Sequence, residues 1–174
     1  IYRYIFGIDP GLTGAICRLD IFENGYASYK VFDTPTLEIV SGKKTKKEYM
    51  ETEMANILNV KDAPASIYIE RIHSMPGQGV ASMFSMGVGY GLWKGIIAAQ
   101  GHELTLVTPQ AWKKDMMPGM GKEKDASVYR VLQMYSDAPV LGPKGAKLHG
   151  RADAMLIALY GRKLEASTGI IPHR

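Results

Sequence analysis

The sequence predicts an α/β protein in which helices pack on the faces of a mixed sheet. Two apolar runs near the start are separated only by a tight turn around Pro10-Gly11, which is typical of a β-hairpin. Later apolar runs of strand length alternate with longer segments whose apolar residues recur at helical spacing. In chain order the patterns are β-β-β-α-β-α-β-α. We therefore expect one five-stranded mixed sheet with helices on both faces.

The first hairpin consists of the predicted strands 3–9 and 14–20. Asp9 lies where the first strand ends, and the small residues that follow it leave space beside its carboxylate. Asp before Pro-Gly is common in turns, but a carboxylate at a strand end also suits a metal ion. This segment alone leaves both interpretations of Asp9 open.

The next segment predicts a strand, a loop and a helix. Residues 25–32 alternate in polarity between turn residues, which favours a third antiparallel strand. Residues 34–47 are polar and basic, and we expect a mobile loop. From Lys47 to Leu58 the apolar side chains fall at helical spacing, which predicts a helix.

A second carboxylate closes the next strand. Residues 66–70 have a buried-strand pattern that ends in Glu70, whose alternative role is an ion pair with Arg71 or a lysine. The Gly-rich loop 74–82 follows. Residues 83–100 combine Gly and Ala with large apolar residues, which predicts a helix in close contact with a neighbour despite the low helix propensity of Gly.

The second half of the chain predicts one strand and three helices. After the strand 104–107, Thr108 is a good N-cap and Pro109 suits the first helical position. Two further helices are expected at 122–134 and 149–165, separated by a Pro/Gly/Lys loop.

Composition narrows the class of protein. The 174 residues suit a single domain, 1–174, and the formal net charge of +4 permits a polyanionic partner. Cys17 is the one cysteine, which excludes an internal disulfide or a Cys-rich zinc site and fits a reducing compartment. No apolar run is long enough to span a bilayer, so no membrane partner is expected.

The residues with the clearest chemical meaning are three carboxylates and one imidazole. His149 and Asp153 are four residues apart on the last predicted helix and so share a face. If that helix crosses the sheet edge, both converge with Asp9 and Glu70. Such a cluster would be self-repelling without cations, and carboxylate oxygens favour Mg²⁺ or Mn²⁺. Two ions about 3.5–4 Å apart would suit phosphodiester hydrolysis.

The set of motifs resembles the RuvC-type Holliday junction resolvases of the ribonuclease H-like superfamily. The likeness is closest to the branch that contains the monokaryotic chloroplast resolvase and RuvC-like bacteriophage proteins. It covers nearly the whole chain. The motifs are Gly7-Ile-Asp9-Pro-Gly11-x-x-Gly14, Phe32-Asp-Thr-Pro35, Gly42-Lys-Lys44, Ile69-Glu70, Gly89-Tyr-Gly-Leu-Trp93, Thr108-Pro-Gln-Ala-Trp-Lys113 and His149-Gly-Arg-Ala-Asp-Ala-Met-Leu-Ile-Ala-Leu-Tyr-Gly161.

The resemblance implies a homodimeric endonuclease that nicks opposing strands of a four-way DNA junction with two Mg²⁺ (or Mn²⁺) ions per active site. The family's metal-binding positions match Asp9, Glu70, His149 and Asp153. The chain departs from the bacterial members in one respect. They usually close the site with two residues three apart, whereas His149 and Asp153 are four apart, as in the plant-like branch.

DNA contacts are expected from basic runs beside loop residues and from the loop after Glu70, which in the family lies at the junction centre. The helix 83–100 is the expected dimer interface. The expected DNA-binding residues are Lys43, Lys44, Lys46, Lys47, His73, Met75, Gln78, Lys113, Lys114, Lys122, Lys124 and Arg151.

Two alternatives remain at this stage. One is a ribonuclease H-like nuclease for other branched DNA or RNA–DNA hybrids, and the other is a non-catalytic junction-binding protein. Actin-like ATPases also begin with a hairpin, but they repeat it in a second domain and are much longer. The expected location is the cytoplasm of a bacterial or phage-infected cell, or an organelle such as the chloroplast if a transit peptide preceded Ile1.

Overall fold

The structure, a computed structural model, describes residues 1–173. The strands are β1 (Arg3–Asp9), β2 (Ala15–Ile21), β3 (Ala27–Asp33), β4 (Thr36–Ser41), β5 (Lys44–Tyr49), β6 (Ala65–Glu70) and β7 (Glu103–Val107). The helices are α1 (Glu51–Leu58), α2 (Val80–Gln100), α3 (Pro109–Met116), α4 (Ala126–Met134) and α5 (His149–Ser167), with a short 3₁₀ turn at Pro143–Gly145. None of these helices is both long and apolar enough to cross a membrane.

The main sheet has the strand order β3-β2-β1-β6-β7, and β1 is its centre. β1 pairs antiparallel with β2 and parallel with β6, so the sheet is mixed as predicted. Alternate residues of β1 enter opposite layers because side chains alternate across a strand. Phe6 and Ile8 pack with α1 and α2, whereas Ile5 packs on the side of α3, α4 and α5.

A very close contact joins β1 to α5. Gly7 faces α5 so closely that a Cβ atom would overlap the backbone of Ala154 and Ala158. Small residues on both elements thus allow their backbones to approach. This contact fixes the position of α5 relative to the end of β1.

Most of the predicted elements are confirmed, including all five strands of the main sheet and helices on both of its faces. The loop predicted at 34–47 is wrong, because this segment forms the separate antiparallel hairpin β4–β5. Ser41 pairs with Lys44 across a two-residue turn in which Gly42 has φ +62°, and Gly at the first turn position is typical of tight hairpins.

Two predicted helices begin later than expected. α1 begins at Glu51 rather than Lys47, since residues 47–49 complete β5. α4 begins at Ala126 rather than Lys122. Before α1, Tyr49 and Met50 extended the apparent helical spacing of apolar residues, and before α4 the predicted helix included basic residues that precede it.

The Gly7 contact predicts a large loss of stability for Gly7→Ala. The added methyl group meets backbone atoms, which move less readily than a flexible side chain, so we expect a loss of about 3 kcal/mol or more in the free energy of unfolding. Urea denaturation followed by circular dichroism measures it. Gly79→Ala is the control: its Cβ would meet nothing within 4 Å, so its stability should stay within about 1 kcal/mol of wild type. Equal midpoints for the two variants would contradict the contact.

Candidate active site

Two strands deliver carboxylates to the same edge of the sheet. β1 and β6 run parallel, with Ile8 paired to Ile69, so Asp9 and Glu70 occupy neighbouring positions at the strand ends. Ligand sites of open α/β sheets lie outside the carboxyl ends of the strands. The predicted placement of both acidic residues at one edge is therefore present in the structure.

The start of α5 adds a third carboxylate. Gly150 lies against the backbone of Thr13 in the turn between β1 and β2, so closely that a side chain would collide there. This contact seats the first turns of α5 above the end of β1. Asp153 then lies close enough to Asp9 and Glu70 to raise the pKa of each.

Burial disfavours the ionised form of all three acids, and repulsion adds to this effect at Asp9 and Glu70. Loss of solvation, followed by the charges of Asp153 and Glu70, raises the pKa of Asp9 well above its usual range. Burial is also the main cause that raises the pKa values of Glu70 and Asp153. The ammonium group of Lys113 opposes this rise at each of the three acids, so Lys113 faces the cluster.

Helix α3 supplies the two groups that oppose this repulsion. Thr108 caps the helix by accepting a hydrogen bond from the Ala111 amide, as predicted. One turn later, the indole Nε1 of Trp112 donates a 2.7 Å hydrogen bond to Oε2 of Glu70. Lys113 follows, with its ammonium 5.4 Å from the centre of the Trp112 ring. A charge-assisted hydrogen bond and a nearby cation both favour the ionised carboxylate.

His149 is the fourth predicted site residue, and it is engaged differently from the three acids. Its Nε2 lies 2.6 Å from Oδ1 of Asp125, at the start of α4. His149 and Asp153 line one groove, as their spacing predicted, and His149 lowers the pKa of Asp153. The structure thus places the imidazole at the rim of the cluster, oriented by a carboxylate that sequence reasoning did not find.

The donor chemistry fits a hard divalent cation. Within residues 1–173, no three His, Cys, Asp or Glu side chains are close enough together to hold a metal ion as they stand. However, three carboxylates are buried together at this edge, and the ammonium of Lys113 lowers the pKa of each. A dication would relieve the repulsion between the carboxylates, and carboxylate oxygens are its preferred ligands.

Comparison with known proteins gives one curated relative with significant similarity. No family model matches the chain. The chloroplastic Holliday junction resolvase MOC1 of Chlamydomonas reinhardtii is 32% identical over 94 residues. The matched region is 53% of this chain but 10% of the relative, so the chain spans about a tenth of the length of that protein.

Solved structures match almost the whole chain. Thermus thermophilus RuvC superposes with a TM-score of 0.61 at 15% identity, covering 97% of this chain and 98% of that one. The chain has the RuvC-like resolvase fold. The same RuvC in complex with a Holliday junction substrate gives 0.57 at 11% identity and 98% coverage of both chains. The yeast mitochondrial Holliday junction resolvase Ydc2 gives 0.56 at 15% identity, with 95% and 80% covered.

In this RuvC-like fold Asp153, one of the three acids, lines a groove of about 780 Å³. His149 and Asp153 line it together with residues of α3, α4 and the segment between them. Four of the predicted DNA-binding lysines line it, namely Lys113, Lys114, Lys122 and Lys124. Of these, Lys113 also faces the carboxylates.

The other predicted DNA-binding residues lie in three places. Lys43, Lys44, Lys46 and Lys47 are exposed on the hairpin β4–β5 and its turn. In the segment after Glu70, His73 and Met75 are exposed, whereas Gln78 is partly buried beside a cavity of about 230 Å³. Arg151 is occupied by protein acceptors: it donates to both carboxylate oxygens of Asp33 and to the carbonyl of Pro139.

Sequence reasoning missed the supporting roles of four residues of the site. Trp112 lay inside a recognised motif but had no assigned role, and Lys113 was assigned only to DNA. Asp125, which contacts His149, and Ser127, whose side chain lowers the pKa of Asp153, carry no local signal of their function. Both come from α4 and its approach, whose position depends on tertiary packing.

The raised pKa of Asp9 predicts that Asp9→Asn stabilises the metal-free protein. A carboxyl group whose pKa rises on folding favours the folded state when protonated and disfavours it when ionised. At pH 7 in EDTA, we therefore expect the variant to gain about 0.5–2 kcal/mol, or about 2–4 °C in Tm for each kcal/mol. The gain should shrink as the pH falls and Asp9 of the wild type takes up a proton. Thermal unfolding across pH measures both.

Asp33→Asn is the matched control for this prediction. Hydrogen bonds from Arg151 lower the pKa of Asp33, so the same change should leave stability at pH 7 unchanged or reduced. An Asp9→Asn variant that melts below wild type in EDTA would contradict the repulsion at the sheet edge.

Proposed function

We propose that this chain is an endonuclease that resolves four-way DNA junctions by paired symmetric nicks. The observation that carries the proposal is the gathering of Asp9, Glu70 and Asp153 at the carboxyl edge of a RuvC-like sheet. The 32% identity to a protein named as a Holliday junction resolvase supports the substrate class. The basic groove beside the acids supports a polyanionic substrate.

The proposed cofactor is Mg²⁺ or Mn²⁺, two ions per site. Asp9, Glu70 and Asp153 would hold the ions, with Asp9 as the central ligand because it ends β1, the central strand of the sheet. Asp125 holds Nε2 of His149, which leaves Nδ1 as the nitrogen for ligation; metal-binding imidazoles are commonly oriented by a carboxylate in this way. Bound divalent ions supply an activated water and stabilise the leaving oxygen of a phosphodiester. Lys113 holds the scissile phosphate beside the acids.

Two exposed elements are proposed to bind the arms and the centre of the junction. The hairpin β4–β5 carries four lysines away from the main sheet, and the Tyr49 hydroxyl anchors its base by donating to the Ser85 carbonyl at 3.0 Å. The segment 71–79 follows Glu70 directly and would face unpaired bases. Met75 is exposed there as an apolar wedge, and His73 and Gln78 offer hydrogen-bonding groups.

The proposed homodimer forms through one face of α2. Val80 and Phe84 are 86% and 75% exposed, and Val88, Gly91 and Gly95 continue the same helical face. A Cβ at either glycine would meet nothing within 4 Å. These five residues form a stripe on α2 with large side chains at its N-terminal end and glycines at its C-terminal end. If two copies of α2 pack antiparallel around a two-fold axis, the large side chains of each copy lie against the glycines of the other.

Two cellular locations are proposed for the protein. One is the cytoplasm of a bacterial or phage-infected cell, and the other is an organelle. The name of the Chlamydomonas relative places that protein in the chloroplast, which supports the organelle.

The function is tested by nicking of a synthetic four-way junction with Mg²⁺, beside duplex, flap and RNA–DNA hybrid substrates. Wild type should nick opposing strands of the junction, and Asp9→Asn should lose at least 100-fold in rate while it still binds. The loss follows from removing the central carboxylate. Cleavage of flaps or hybrids instead would support a ribonuclease H-like nuclease of other specificity. Binding without cleavage in Mg²⁺ or Mn²⁺ would support a non-catalytic junction-binding protein.

The hairpin lysines predict a salt-dependent contribution to junction affinity. Replacing Lys43, Lys44, Lys46 and Lys47 by Ala should weaken binding and reduce the slope of log affinity against log salt by up to about 3–4, since each phosphate contact contributes about 0.9. Fluorescence anisotropy at several salt concentrations measures this. Lys61→Ala, on the loop before β6 and so at the opposite end from Glu70, is the control and should leave the slope unchanged. If the slope is unchanged when all four lysines are replaced, the hairpin does not bind the phosphates of the junction.

The stripe on α2 predicts that Phe84→Glu is monomeric at about 10 μM, a concentration at which wild type sediments as a dimer. The carboxylate would be buried without a partner at the interface. Gly91→Phe should give the same result, because its side chain has space in the monomer but not in the dimer. Ile170→Glu, exposed on the C-terminal segment, should remain dimeric. A monomeric wild type in analytical ultracentrifugation would overturn the interface.

A further inference from the structure

The chain contains two tryptophans, and their indole N–H groups differ in one respect. Trp93 on α2 and Trp112 on α3 are both fully buried. The Nε1 of Trp112 donates to Oε2 of Glu70 at 2.7 Å. The Nε1 of Trp93 has no hydrogen-bond partner among residues 1–173. Only one of two equally buried indoles therefore contacts the acidic cluster.

The position of Trp112 is coupled to that of Glu70 through the sheet. Glu70 pairs with Val107 at the end of β7, and the Arg71 amide donates to the Val107 carbonyl at 2.7 Å. The capped helix α3 begins two residues later, so its first turns are held in register with the end of β6. Trp112 is packed within the core cluster formed by α3, α4 and α5. The indole is consequently a rigid donor.

This donor limits what Glu70 can do with its two oxygens. Oε2 accepts a hydrogen bond from the indole, which restricts rotation of the carboxylate. Oε1 is then the oxygen available to bind a ligand at the open edge of the sheet. The bond also stabilises the ionised carboxylate against the cost of burial, because it lowers the pKa of Glu70. Fixing the orientation of a ligand and favouring its ionised form are the two effects of groups that hydrogen-bond a metal ligand without contacting the metal.

We propose that Trp112 is a positioning residue whose indole N–H holds Oε2 of Glu70 and presents Oε1 to a divalent cation. This proposal rests on the proposed function of the acidic edge. If Trp112 served only to fill the core, its replacement would not change cation affinity; the proposal predicts that it does. Trp93, equally buried but without an acceptor, has no such contribution.

The test compares Trp112→Phe with Trp93→Phe. Both changes remove an indole from a buried site, but only the first removes the donor to Glu70. Mn²⁺ binding to the full chain without DNA is measured by electron paramagnetic resonance of the free ion. We expect Trp112→Phe to bind Mn²⁺ at least tenfold more weakly, within the range seen when such supporting groups are lost. Trp93→Phe should stay within twofold of wild type. Urea denaturation checks that both variants are folded.

A second measurement needs no variant. The two indole N–H groups give two signals in a ¹H–¹⁵N spectrum of wild type. Addition of Mg²⁺ should shift the signal of Trp112 and leave that of Trp93 in place. This result would support the proposal even if Trp112→Phe did not fold.

The outcomes separate this proposal from the proposed function. If wild type binds Mn²⁺ and Trp112→Phe binds it as tightly as Trp93→Phe, the role of Trp112 is overturned and the metal site stands. If Mg²⁺ shifts neither indole signal while Mn²⁺ binds, the role is also overturned. If wild type binds no Mn²⁺ up to 20 mM, the metal site itself fails, and the proposal for Trp112 fails with it.

Discussion

The contact between β1 and α5 is the constraint on which the rest of the site depends. Gly7 has no side chain, so the backbones of the central strand and the last helix approach until a single methyl group would collide. That approach, together with the contact between Gly150 and Thr13, brings Asp153 over the end of β1. A tightly packed interior thus positions an acidic cluster that local electrostatics alone would disperse.

The acidic cluster illustrates a conflict between stability and function. Burial raises the pKa values of Asp9, Glu70 and Asp153, and repulsion adds to this rise at Asp9 and Glu70, so ionisation of these acids disfavours the folded state. Trp112 and Lys113 reduce that cost from one side. A bound dication would reduce it further, so cation binding and the stability of the fold are coupled.

The sequence predicted the sheet and the acidic edge because both depend on local patterns. Apolar runs predicted the strands β1 and β6. Asp9 and Glu70, at the ends of these runs, predicted an acidic edge of the sheet. The hairpin β4–β5 was missed because its strands are exposed and lysine-rich, so burial gives them no periodic signal. Asp125 and Trp112 were not predicted as site residues because their contacts join segments 24 and 42 residues apart. Such pairings depend on tertiary packing.

The central claim is that the acids at the sheet edge gather around divalent cations. The most direct measurement is an anomalous difference map from crystals of the protein soaked in Mn²⁺. The account predicts anomalous peaks bonded to Asp9, Glu70 and Asp153, with Trp112 still donating to Oε2 of Glu70 and Lys113 displaced from the acids. The contradicting result is a map with Mn²⁺ peaks elsewhere in the crystal but none at the acidic edge, and with Lys113 still facing the three carboxylates.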